Sequence, residues 1–311
     1  DGVVRSMQTW VWVLGACLVV SCVALDAVAE GLGRPGQVMV EGAYPYAEAR
    51  TYSYYAAAAY CSTYELSDWE CVPCRDSLLP LDHVRVFEDK KTDARAFVGK
   101  TENETIVLAV RGSHTIENFI ADLEFFKADK DFGCTGCKVH KGFYETWRSI
   151  SADVLKAVGE LHTPGSRVVV VGHSLGAAVA TLAVYDLISA ANLQVHALHT
   201  FGSPRVGNAD FAAHMWRQKL SGLVGGAWRH THWRDPVVHL PLESMHFKHV
   251  PTEVWFDEDS SSYTVCDGSG EDQHCADSRD VFVSVNDHLH YFGHDVSTDA
   301  CQQSEAEAAR A

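Results

Sequence analysis

Positive charge is scarce in this chain of 311 residues: 25 lysines and arginines face 41 aspartates and glutamates, a formal net charge of −16. No basic cluster offsets that balance, which argues against a nucleic-acid partner. It also disfavours adsorption to strongly anionic membranes, while leaving neutral lipid surfaces open. Apolar runs stop short of a membrane span: Trp10–Leu25 covers 16 residues, against the about 20 that a spanning helix needs. Internal repeats, low-complexity linkers and a clear domain break are all missing. Histidine is plentiful at 17 residues, yet no pair has a recognised metal-ligand spacing. His230 and His232 would share one strand face and read as packed strand residues rather than ligands. No metal or cofactor is implied.

What is present at the N-terminus is an address. The apolar stretch Trp10–Leu25 is followed by Ala27–Val28–Ala29, the hydrophobic region and A-x-A site of a secretory signal peptide. Residues 1–29 therefore read as a short extension ahead of Met7 plus that signal, and 30–50 as a polar lead or propeptide. The body of the protein is expected over 51–301, with a tail at 302–311. Ten cysteines include Cys17 and Cys22 of the signal, leaving eight in the mature part, an even number that fits disulfides in an oxidising compartment. Cys71–Cys74 and Cys134–Cys137 are C-x-x-C motifs too far apart for a zinc ribbon and not placed at a strand-to-helix turn. They read as local staples. Asn103–Glu104–Thr105 is a glycosylation sequon between two expected strands, as suits a secreted, extracellular protein.

The periodicity alternates between strand and helix. Tyr52–Tyr60 reads as a helix of aromatics and alanines, then Val84–Phe87, Arg95–Val98 and Ile106–Val110 as short strands. Trp147, Ile150, Val154, Leu155, Val158 and Leu161 recur at helical spacing, which predicts an amphipathic helix over Glu145–His162. Strands follow at Arg167–Val171, Val195–Phe201 and Ala227–His232, with helices from Ala177 and around Ala209–Leu220 and a paired stretch at Val250–Trp255. This order predicts one α/β domain, a mostly parallel sheet with helices on both faces.

One segment carries chemistry. Val168–Val171 leads into Gly172–His173–Ser174–Leu175–Gly176, and Ala177–Ala180 continues as good helix. That is the strand–elbow–helix context in which a G-x-S-x-G serine is held exposed on a strained turn. A serine hydroxyl is a weak nucleophile; it needs a base to take its proton and a carboxylate to orient the base. His173 adjoins Ser174 but would project away from it. Asp235, just past an expected strand end, is the candidate acid. The base is open among His239, His246, His249, His274, His288, His290 and His294, and spacing does not choose.

Seven motifs in order narrow the choice: Val110–Ser113, Ile116–Asn118, Val139–Phe143, Gly172–Gly176, Gly202–Asn208, Thr231–Asp235 and Asp287–Gly293. In these the chain resembles the secreted fungal-type class 3 lipases (triacylglycerol lipases and feruloyl esterases) from about Tyr52 to Cys301. The resemblance implies the α/β-hydrolase fold with a short helical lid. It makes Asp235 the orienting acid, His288 the base and His290 a bystander. It places the oxyanion on the Leu175 N–H and on Ser113, and it pairs Cys61 with Cys301, Cys71 with Cys74 and Cys134 with Cys137. Cys266–Cys275 is left as a loop staple. Ala177 departs from a second glycine found in many relatives.

Ile116, Phe119, Ile120, Leu123 and Phe126 fall on one helical face, with Glu117, Asn118, Asp122 and Glu124 opposite. In the lipases that the chain resembles, this segment is a lid over the serine whose opening exposes the stripe to lipid. The apolar stripe favours acylglycerols at a lipid–water interface, with Val237 and Leu240 as further acyl contacts. A phospholipase A1 or galactolipase, a feruloyl-type esterase, a peptidase and an inactive lipid-binding protein are the alternatives. A monomer is expected.

Overall fold

The computed structural model describes residues 44–122, 126–129, 132–279 and 283–302. The signal segment, most of the 30–50 lead, Leu123 and Glu124 of the stripe, and the tail beyond Gln302 lie outside the described residues.

Eight strands form one sheet, and their spatial order follows the chain. They are β1 (Asp82–Asp89), β2 (Ala94–Lys100), β3 (Thr105–Val110), β4 (Arg167–His173), β5 (Val195–Phe201), β6 (Ala227–His232), β7 (Glu253–Phe256) and β8 (Tyr263–Val265). From β3 to β7 the neighbours are parallel, and antiparallel pairs close both edges. Strands β3 (TIVLAV) and β4 (RVVVVGH) are near-continuous apolar runs because both of their faces are covered. Side chains alternate accordingly. Val168 and Val170 join Ile106 and Leu108 in one core layer, while Val169 and Val171 join Val107 and Ala109 in the other.

Helices cover each layer. Helix α1 (Tyr46–Ala58) packs its alanines and tyrosines on one face. On the other lie α2 (Ile116–Asp122), α3 (Lys141–Leu161), α4 (Leu175–Ser189) and α5 (Ala209–Met215). Helix α3 buries Trp147, Ile150, Val154 and Val158, the stripe expected of an amphipathic helix. Helix α4 is apolar nearly all round because it is sandwiched between the sheet and α3. A short helix, α6 (Val285–Leu289), follows late in the chain.

Several expectations are corrected. Helix α1 starts at Tyr46, inside the segment read as a lead; Tyr44 is buried against the rings of Trp228 and Tyr263, which draws 44–50 into the fold. Phe126 is not on a helix: it directly precedes a hairpin strand, 127–129 paired with 138–140. Phe126 stands there 65% exposed, its carbonyl accepting from the Lys141 N–H. The helix at Ala209 is α-helical only to Met215 and widens to a π-turn at Trp216–Leu220.

The four disulfides are Cys61–Cys301, Cys71–Cys74, Cys134–Cys137 and Cys266–Cys275. Asn103 is exposed in the β2–β3 turn. Among the described residues no helix is long and apolar enough to cross a membrane.

The core also holds neutral imidazoles. Burial first, then neighbouring positive charge, lowers His199 and His249 well below the ordinary range, and burial takes His230 down to about 3. An unfolded chain protonates these side chains below about pH 6.5, whereas the native state does so only far lower. The fold is therefore penalised progressively as the pH falls below about 6.5, by at most roughly 1.4 kcal/mol per pH unit for each histidine. Urea midpoints should accordingly drop steeply between about pH 7 and about pH 5; a midpoint constant over that interval contradicts this account.

Candidate active site

Three adjacent parallel strands deliver their carboxyl ends to one edge of the sheet, where open α/β sheets place their ligands. Ser174 follows β4 directly, Gly202 follows β5, and Asp235 lies three residues past β6. The elbow is sterically forced. A Cβ on Gly172 would strike the Gly176 carbonyl, and one on Gly176 would strike the Val110 carbonyl. Between them Ser174 adopts φ 56°, ψ −128°, a backbone conformation that costs a non-glycine residue about 1–3 kcal/mol and persists only where its surroundings impose it. Its N–H is anchored to the Phe201 carbonyl at 2.9 Å.

His288 comes from the far end of the chain, on α6. The Ser284 hydroxyl caps that helix by accepting from the Asp287 N–H. The Asp287 side chain accepts from the Arg234 N–H at 3.1 Å, and its carbonyl accepts from His232 Nδ1 at 2.8 Å. Helix α6 is thereby fastened to the loop that carries Asp235. His288 Nδ1 lies 2.8 Å from Asp235 Oδ2, with both side chains fully buried. Gly202, at φ +58°, is what makes room: a Cβ there would sit 2.7 Å from His288 Cε1 and 3.1 Å from Asp235 Oδ2.

Burial alone would drive the Asp235 carboxyl up. The adjacent His288, its hydrogen bond and the Val237 N–H on Oδ1 at 2.8 Å outweigh that and hold it below the usual carboxylate range. Tyr291 adds a third donor, its hydroxyl 3.2 Å from Oδ2. An ionised Asp235 keeps the proton on Nδ1, leaving Nε2 of the neutral ring as an acceptor. Nε2 of His288 and Oγ of Ser174 are both buried without a hydrogen-bond partner. The His288 ring lies 4.6 Å from that of His173, the residue beside Ser174.

The other histidines are engaged elsewhere. His239 and His274 face Asp277 and Asp272, His290 faces Asp295, His294 bonds Ser53, and His249 bonds the Val238 carbonyl. His246 ends a short turn in a left-handed conformation. His173 turns away from the hydroxyl beside it, toward Tyr60 and the His288 carbonyl.

Ser113 and Leu175 line one cleft of about 340 Å³ together with Phe119, Phe126 and Phe143. The Leu175 amide opens α4, where an N–H has no intrahelical acceptor and carries the positive end of the helix dipole. Above it, α2 buries Ile116 and half-buries Phe119 and Ile120 while exposing Glu117 and Asn118. Ser174 is left only 1% exposed. Leu240 is half-buried and Val237 fully buried, its amide committed to Asp235. Sequence reasoning assigned no role to Tyr291, Gly202 or the Val237 amide. The first two sat inside quoted motifs, and a backbone donor leaves no mark in a sequence.

Residues 107–245 match the family described as Lipase (class 3). The chain is 32% identical to a lipase of Rhizomucor miehei over 288 residues, covering 89% of this chain and 76% of that protein. It is 40% identical over 167 residues to the secreted mono- and diacylglycerol lipase A of Penicillium camembertii, 53% of this chain and 52% of the relative. A solved triacylglycerol lipase whose catalytic centre is a serine-protease triad superposes with TM-score 0.70 at 32% identity, covering 81% of this chain and 96% of that one.

The Nδ1 proton shared between His288 and Asp235 should give a resonance far downfield of the amide region. Gly202→Ala, which pushes a methyl group into the imidazole, should abolish it while the fold persists. Retention of the signal in that variant would contradict the geometry described.

Proposed function

The chain belongs to the class 3 lipase family, and from that membership we propose that it hydrolyses acylglycerol esters at a lipid–water interface through an acyl-enzyme on Ser174. The observation that carries the reading is the buried 2.8 Å contact between His288 Nδ1 and Asp235 Oδ2, beside the elbow that holds Ser174. His288 Nε2 takes the Ser174 proton as Oγ attacks the ester carbonyl carbon. The carbonyl oxygen becomes an oxyanion held by the Leu175 N–H and by Ser113; one such donor is typically worth about 2.7–4 kcal/mol. The imidazolium is stabilised across Nδ1 by Asp235 and returns its proton to the departing alkoxide. Water then repeats the sequence in reverse and frees the fatty acid.

A covered Ser174 requires that α2 move before a triacylglycerol can reach it. The apolar side of α2 faces inward, so opening exposes apolar surface, a cost that a lipid surface offsets and water does not. Ile116, Phe119 and Ile120 then become contacts for lipid, with Leu123, Val237 and Leu240 as proposed acyl contacts. Export fits the four disulfides and the relative named as secreted, and Asn103 is the proposed glycan site. We read the segment from Tyr44 to the Cys61–Cys301 disulfide as one catalytic unit.

The test is hydrolysis of emulsified triolein, diolein, phosphatidylcholine and methyl ferulate by the wild type and by Ser174→Ala. Triolein should be cleaved fastest, Ser174→Ala should be inert, and the wild-type rate should fall toward acid pH because a histidine general base acts only when neutral. Preference for phosphatidylcholine or methyl ferulate would transfer the assignment to a phospholipase or a polar esterase. A rate that is flat from about pH 8 to about pH 4, or an active Ser174→Ala, would remove the proposed chemistry.

A further inference from the structure

His173 is buried beside the nucleophile, yet the hydrolysis just proposed gives it nothing to do. Its Nε2 lies 2.8 Å from the His288 carbonyl oxygen and its Nδ1 lies 2.7 Å from Tyr60 Oη. A carbonyl only accepts, so Nε2 carries the proton; Nδ1 is then a lone pair and Tyr60 donates to it. The Tyr60 hydroxyl in turn packs directly against Gly112. A Cβ on Gly112 would collide with that hydroxyl. The Gly112 carbonyl is held by Arg111 Nε at 3.1 Å, and Arg111 is tied to Asp93.

Resting on the Ser174 reading, we infer that Tyr60 and His173 are positioning residues: a buried hydrogen-bonded relay that registers the Gly112–Ser113 loop against the main chain of His288. The relay runs from the Tyr60 hydroxyl, packed against Gly112, through the His173 ring to the His288 carbonyl. It joins the three segments that carry the oxyanion donor, the nucleophile and the base, which are otherwise remote along the chain. Tyr60 is itself fixed, because it precedes Cys61 of the Cys61–Cys301 disulfide.

The relay also has the electrical property that its place demands. Burial, then the neighbouring His288, lowers the proton affinity of His173 to about 3. The ring packed 4.6 Å from His288 therefore stays neutral and does not oppose the positive charge that His288 acquires during attack. Neither Tyr60 nor His173 lines the cleft beside Ser113 and Leu175, so disturbing the relay should alter reacting geometry and leave ester binding alone.

The experiment compares wild type, Tyr60→Phe, His173→Gln, His173→Leu and Ser174→Ala on soluble p-nitrophenyl butyrate, with a thermal unfolding midpoint for each. Tyr60→Phe should lower kcat about tenfold with KM unchanged. His173→Leu should lose at least as much. His173→Gln, whose carboxamide supplies one donor and one acceptor as the neutral imidazole does, should keep kcat within about threefold of wild type. Wild-type kcat in Tyr60→Phe would overturn the inference, as would losses that follow KM or the unfolding midpoint. Should Tyr60→Phe fail to fold, the two His173 variants decide, and equal kcat values for them overturn it. An active Ser174→Ala would instead defeat the underlying reading; an inert Ser174→Ala beside a fully active Tyr60→Phe defeats the relay alone.

Discussion

A carboxylate in a dry interior is unstable unless donors surround it, and Asp235 is fully buried. The His288 N–H, the Val237 amide and the Tyr291 hydroxyl supply those donors from two separate segments of chain. Removing any one leaves part of a buried charge unsatisfied, a loss of about 1–3 kcal/mol or more. The architecture around the site is in large part the means of bringing these groups together: β6 aims Asp235, the α6 cap and its ties to Arg234 and His232 aim His288, and Gly202 vacates the space between them. The same contact fixes the imidazole tautomer, so the electrostatic and the chemical requirements are met by one arrangement.

The opposite treatment is given to the other buried imidazoles. Asp235 faces His288, and a positive charge there is accommodated. His173, His199, His230 and His249 sit in surroundings that disfavour charge, and each is held neutral well below the ordinary range. Solvation and hydrogen bonding, rather than residue type, thus set the silent imidazoles apart from the one paired with a buried carboxylate. The covering helix α2 serves the same end, since a site closed to water strengthens every charge interaction inside it.

Much of this was legible in the sequence where a local rule governs. The valine run of β4, the flanking glycines of the elbow and the stripe of α3 all declare themselves through periodicity and sterics. The choice of His288 among seven histidines did not, because it depends on α6 docking onto the Arg234–Asp235 loop, a contact between residues some fifty positions apart. Resemblance to a family supplied what spacing left open. Phe126 was misread because its spacing suits a helix, whereas the 127–129 hairpin strand, a longer-range pairing, sets the local conformation. Tyr60 carried no signal and Tyr291 only its place in a motif: a buried tyrosine looks like any other core aromatic until its hydroxyl is seen to have a partner. The start of α1 was missed for a related reason, since Tyr44 joins the fold through rings on β6 and β8.

The central claim is that Ser174 is made nucleophilic by His288 and Asp235 acting together. The most direct measurement is covalent capture of the intact protein with a fluorophosphonate, the adduct mapped by mass spectrometry and its rate of formation followed in Asp235→Asn. The account predicts a single adduct on Ser174 that forms at least about a hundredfold more slowly once the carboxylate is gone. Labelling of a different residue, no adduct in the wild type, or an unchanged rate in Asp235→Asn would contradict it.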